Sequence, residues 1–161
     1  MHKLFIVLAL LCIYSTSLYA QKSAMGSTYK SAIGLKYYPG SITAKTFIQP
    51  DRGVEGLISF WDYGTRFIGL YEFYGDVNGI EGLKWYVGPG AHIGFWNDKW
   101  NEKYPEREGG FMFGIDGVIG IDYKINKAPI NVSLDWQPSL NFVGYNYFEG
   151  GWGGVAIRYA F

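Results

Sequence analysis

Glu55, Glu72 and His92 are the side chains with the clearest capacity for chemistry in this sequence. Glu55 and Glu72 stand on neighbouring segments that alternate apolar and polar residues. A hairpin turning at Tyr63-Gly64 makes them face each other, with Lys45 and Lys84 on the flanking segments, and the same rule sets Asp135 opposite Arg158. Two facing carboxyls can work as general acid and general base, because like charges side by side favour leaving one of them protonated. The blander reading is a network of salt bridges in a dry interior, where charge is tolerated only when paired. Lys45, Glu55, Glu72, Lys84, Asp116, Asp135 and Arg158 are assigned to that network. His92 falls on the same face near Asp116. A catalytic histidine needs a nucleophile, and strand pairing sets no serine beside this one, so it reads as a hydrogen-bonded interior histidine. His2 is the only other histidine and Cys12 the only cysteine, so no zinc or other metal site is expected, and no cofactor.

The elements that must hold these residues are strands. From Ile130 to Phe142 apolar residues or Pro (Ile130, Val132, Leu134, Trp136, Pro138, Leu140, Phe142) alternate with polar ones, a period of two that a helix would scatter over all its sides. At about 3.3 Å per residue such a strand is roughly 43 Å long, enough to cross a bilayer at a ~45° tilt. The same alternation marks Ala32 to Tyr38, Ser41 to Ile48, Val54 to Asp62, Thr65 to Tyr74, Leu83 to Trp96, Phe111 to Ile125 and Gly151 to Phe161. Two interruptions are foreseen. Ile68 and Leu70 fall on the polar face beside Arg66 and Glu72, which calls for a bulge or an apolar patch inside, and Pro89 weakens its strand locally.

Eight strands are an even number. The connections 49–53, 75–82 and 126–129 are short, and the long polar loop, Asn97 to Gly110, falls on the other side. Aromatic residues make up 19% of the 161 residues and charged ones 17%, against a usual charged share of about 25%, too few for an ordinary soluble surface. No run beyond residue 20 approaches the ~20 apolar residues of a spanning helix.

Lys3, the apolar core from Leu4 to Tyr14 and the small Ala20 resemble a secretory signal peptide, so residues 1–20 are assigned to it and 21–161 to one barrel domain. Residues 21–30 have no period and read as a short mobile lead-in. Loss of Lys3 leaves thirteen basic against fourteen acidic residues, which gives no electrostatic case for nucleic acid.

Alternation alone does not say which face is outside, and a soluble calyx would turn its apolar face inward. The polar face decides. It is rich in glycine, and Lys36, Lys45, Lys84, Lys124 and Arg158 match Glu55, Glu72, Asp116, Asp122 and Asp135, as a side-chain-filled eight-stranded interior requires. Aromatics gather at strand ends: Trp85, Tyr123, Tyr159 and Phe161 on one rim, Phe60, Phe95, Phe111 and Trp152 on the other.

With these features the chain resembles a small outer-membrane barrel of the OmpA/OmpX type. Its end, Val155, Ile157, Tyr159 and terminal Phe161 at alternate positions, is similar to the signal read by the outer-membrane assembly machinery of Gram-negative bacteria. The resemblance implies an all-β fold, an eight-stranded antiparallel up-and-down transmembrane β-barrel, monomeric and embedded in outer-membrane lipids after export. The expected function is structural or surface-interactive, through loops outside the cell. Trp100, Tyr104 and Arg107 in the long loop are the candidates for touching an extracellular partner, whose identity the sequence does not give. No enzymatic activity is expected. The alternatives are a lipid-modifying enzyme using His92, Asp116, Glu55 and Glu72, and a narrow channel.

Overall fold

The structure, a computed structural model, describes residues 29–106, 110–144 and 147–161. The proposed signal peptide and Arg107 lie outside them. The strands are β1 (Ser31–Lys36), β2 (Ser41–Gln49), β3 (Arg52–Trp61), β4 (Gly64–Asp76), β5 (Leu83–Trp96), β6 (Phe111–Lys124), β7 (Ile130–Trp136), β8 (Ser139–Val143), β9 (Phe148–Glu149) and β10 (Gly153–Ala160). Between β5 and β6 sits a short helix, α1 (Asp98–Lys103).

Every neighbouring pair is antiparallel, and β1 pairs with β10, so the sheet closes on itself. β7 with β8, and β9 with β10, are the halves of two interrupted staves, so ten segments make an eight-stranded barrel. The stave expected as one strand from Ile130 to Phe142 breaks at Gln137-Pro138, because Pro138 has no N–H to give the ladder; its carbonyl still accepts from Gly117 N at 2.9 Å. Opposite the break, the chain steps between β9 and β10 at Gly153 and Gly154, whose φ values of 134° and 150° suit glycine alone. At Pro89 the β4–β5 ladder skips the rungs of Tyr71 and Glu72, while the β5–β6 ladder runs through Pro89 and Gly117.

The two faces separate by chemistry. Leu134 is 52% exposed and Ile157 60%, whereas Arg158 is 1% exposed and Asp135 8%. A calyx with an apolar interior would show the reverse. Ile68 and Leu70 do face inward, and the β3–β4 register is unbroken from Arg52 to Trp61. The anomaly foreseen there is therefore an apolar patch, completed by Leu57 and Val118, and not a bulge. Glycine lets neighbouring backbones approach on the inner face: a Cβ at Gly88 would collide with the carbonyl of Tyr71, and one at Gly114 with that of Leu140.

At the end holding the short turns and the C-terminus, Trp85, Tyr123, Tyr159 and Phe161 are exposed on the outer wall, and at the loop end so are Phe60, Phe95 and Phe111. Trp152 departs from the expected rim. Its ring lies 3.9 Å from the Arg66 guanidinium carbon and its Nε1 donates to Glu149 at 2.8 Å, an inward role that alternation cannot foresee at a stave junction.

Candidate functional site

Strand alternation sends Thr43, Lys45 and Phe47 of β2 into the barrel, where Lys45 becomes the hub of one polar cluster. Its Nζ lies 3.3 Å from Glu55 Oε2 and 3.3 Å from Glu72 Oε2 as ion pairs, and donates to Asp122 Oδ2 at 3.4 Å. Arg158, on β10, bonds Glu55 through Nη2, Thr43 through Nε at 3.1 Å, and Asn131 and Ser133 through Nη1 at 3.2 and 2.7 Å. Lys36 takes Asp135 at 2.5 Å, and the Tyr86 hydroxyl donates to the other oxygen of that carboxylate at 2.8 Å. The Tyr74 hydroxyl donates to Glu72 Oε2 at 2.6 Å, and that of Tyr29 lies 3.1 Å from both oxygens of Asp122.

Two expected pairings are corrected. Glu55 faces Leu70, and Glu72 faces Gly53, two residues off the foreseen register. The hairpin turns at Asp62-Tyr63, because Gly64 is needed inside the ladder, where any Cβ would meet the carbonyl of Phe95. The two glutamates meet diagonally, through Lys45. Likewise Arg158 faces Asn131 and Asp135 faces Gly154, a four-residue offset introduced by the Pro138 break and the step before β10. Lys84 does not join this cluster. It sits at the turn end and pairs with Asp76, whose side chain is 71% exposed.

A second cluster lies toward the loop end, beyond the apolar patch. His92 Nδ1 is 2.8 Å from Asp116 Oδ2, and Nε2 is 2.7 Å from Asn141 Oδ1. Gln137 donates to the other Asp116 oxygen at 3.4 Å. Contrary to the expectation that no serine is near, Ser139 is the rung partner of Asp116, but its hydroxyl accepts from Arg66 Nη1 at 3.4 Å. Arg66 also pairs with Glu149 at 2.5 Å. With both ring nitrogens of the buried His92 engaged by a carboxylate and an amide, the arrangement fixes a ring and does not activate a hydroxyl. Among the described residues no group of three or more His, Cys, Asp or Glu side chains could hold a metal ion.

In the long loop Asn97 caps α1, its side chain accepting from Trp100 N at 3.3 Å. Trp100 is buried, stacked on Trp96 at 3.9 Å and against Tyr104 at 4.5 Å, so it anchors the loop to the barrel mouth. Tyr104 is half-buried in the same stack. Lys103 lies over the Tyr63 ring at 4.7 Å, and its hydrogen bond to the Tyr63 hydroxyl holds the ammonium above its ordinary pKa. Val155, Ile157, Tyr159 and Phe161 all point outward from the closing stave.

Sequence reasoning missed Tyr29, placed in a patternless lead-in yet 6% exposed inside the barrel. It also passed over Tyr74, Tyr86 and Asn141, although each stands on the polar face of its strand with a hydrogen-bonding tip, which is a usable signal.

No family model, curated protein or solved structure matches the chain. The function is therefore read from the barrel and its contents alone.

Proposed function

We propose that the protein is an integral outer-membrane barrel with a side-chain-filled, non-conducting interior, acting structurally or through its external loops. The observation that carries this reading is the inversion of the two faces. A wall of Ile, Leu, Val, Phe and Trp between 38% and 66% exposed around a full barrel is a poor surface for water, while hydrocarbon accepts it; a closed barrel leaves no strand edge unpaired in lipid. The aromatic residues at both ends fit the two headgroup levels. Residues 1–20 would direct export, and Val155, Ile157, Tyr159 and Phe161 would be read by the assembly machinery. The partners are outer-membrane lipids and an extracellular contact of the 97–110 loop; the chain acts as a monomer, without nucleic acid, metal or cofactor.

The reading assigns no catalysis. His92 is held by Asp116 and Asn141, and Glu55 and Glu72 are tied to Lys45, contacts typical of interior support. The test is mobility on a gel with and without heating, using protein extracted from membranes, followed by planar-bilayer recording. A band that shifts on heating and a bilayer without discrete openings are expected. Recovery in the soluble fraction would overturn the membrane assignment, and stable single-channel steps would overturn the filled interior.

A further inference from the structure

The turn end of the barrel carries charges that the chain does not pair with one another. Between the turn joining β4 to β5 and the turn joining β6 to β7 lies a recess of about 310 Å³, lined among others by Glu81, Gly82, Lys124 and Lys127. Its walls are tied together, because Lys124 N donates to Gly82 O at 2.9 Å. Lys124 Nζ donates to the carbonyls of Ile125 at 3.1 Å and Ala128 at 2.5 Å, which holds the ammonium in place without neutralising it. Among the described residues Lys124, Lys127 and Glu81 form no ion pair. Asp76, at the end of β4, is taken by Lys84.

The recess borders the aromatic rim of the outer wall. A Cβ on Gly82 would collide with the carbonyl of Lys124 and lie 3.8 Å from Tyr123 Cε2, so the absence of a side chain there lets the Tyr123 ring come up to the recess. Ile80, one residue before Glu81, is 51% exposed. An exposed aliphatic and an aromatic side chain beside two ammonium groups suit the level at which acyl chains give way to phosphates.

We propose that this recess binds the headgroup of a phosphoethanolamine lipid, its phosphate on Lys124 and Lys127 and its ammonium on Glu81. The assignment rests on the membrane reading above and adds to it the headgroup that the turn end selects. Charge complementarity decides between headgroups. Two cations and one carboxylate in one recess match a phosphodiester joined to an ammonium. A bare phosphate would set an anion beside Glu81. A choline headgroup brings a positive charge without an N–H for the carboxylate to accept, whereas ethanolamine brings three. A glycerol headgroup offers hydroxyls but no charge to balance the carboxylate.

The test is native mass spectrometry of the folded barrel released from detergent, offered equal amounts of phosphatidylethanolamine, phosphatidylglycerol and phosphatidylcholine with matched acyl chains. Wild type should retain phosphatidylethanolamine over either other lipid by about two- to fivefold, the factor that an exposed ion pair supplies. Glu81→Gln should abolish that preference, and Lys127→Asn, which suits the backbone there at φ 63°, should lower retention of all three. Both variants should keep the heat-dependent gel mobility of wild type. Equal retention of the three lipids by folded wild type, or a preference that survives in Glu81→Gln, would overturn the headgroup assignment and leave the membrane reading standing. Recovery of wild type as a water-soluble protein would overturn both.

Discussion

Arg158→Met should lower the stability of the barrel by about 3–5 kcal/mol, read as the shift in urea midpoint of the folded gel species. Methionine fills similar space but carries no charge. Its introduction strips Glu55 of its closest cation and leaves Thr43, Asn131 and Ser133 without their guanidinium partner, all of them buried. Removing one member of a buried pair is far worse than removing both, because the survivor keeps its desolvation penalty and loses its compensation. Pairing Arg158→Met with Glu55→Gln should therefore recover part of the loss. Additive losses in the double variant would mean that Arg158 acts through packing alone.

The second large effect concerns the outer wall. Leu134→Arg should reduce the stability of the vesicle-inserted barrel by about 1–3 kcal/mol, between the cost of a cation on the lipid face at the bilayer middle and its cost near the edge. Leu134 is the fifth residue of the stave that runs from Ile130 to Val143, 52% exposed, between Ile121 and Val155. The measurement is the equilibrium between folded and urea-unfolded protein in vesicles. In water the same exposed position would tolerate arginine within about 0.5 kcal/mol, so the size of the loss reports the solvent.

Which residues lie on which side of the wall was legible in the sequence because alternation is a local property. Lys45, His92 and Arg158 could be assigned to the interior from their neighbours in the chain alone. Pairing across strands was less legible. Whether Glu55 meets Glu72 squarely or diagonally depends on Gly64 being taken into the ladder, a demand made by the carbonyl of Phe95 on a strand some thirty residues away. The partner of Asp135 depends on Pro138 and on the step at Gly153, which together shift the last staves. Lys84 has the right face but the wrong height, and so reaches Asp76 instead of the glutamates. Tyr29 could not be found by periodicity, since no strand contains it; only the closed barrel reveals that it fills the end below Phe47, their rings 5.1 Å apart.

Beyond Cys12 the chain has no cysteine, so single spin labels can be placed without competition. Labels at Leu134 and Ile157 of the vesicle-reconstituted barrel lacking Cys12 should be relaxed by oxygen and shielded from a water-soluble nickel chelate, while a label at Lys99 shows the opposite. Strong relaxation of Leu134 and Ile157 by the nickel chelate, equal to that at Lys99, would show that the apolar wall faces water and not hydrocarbon.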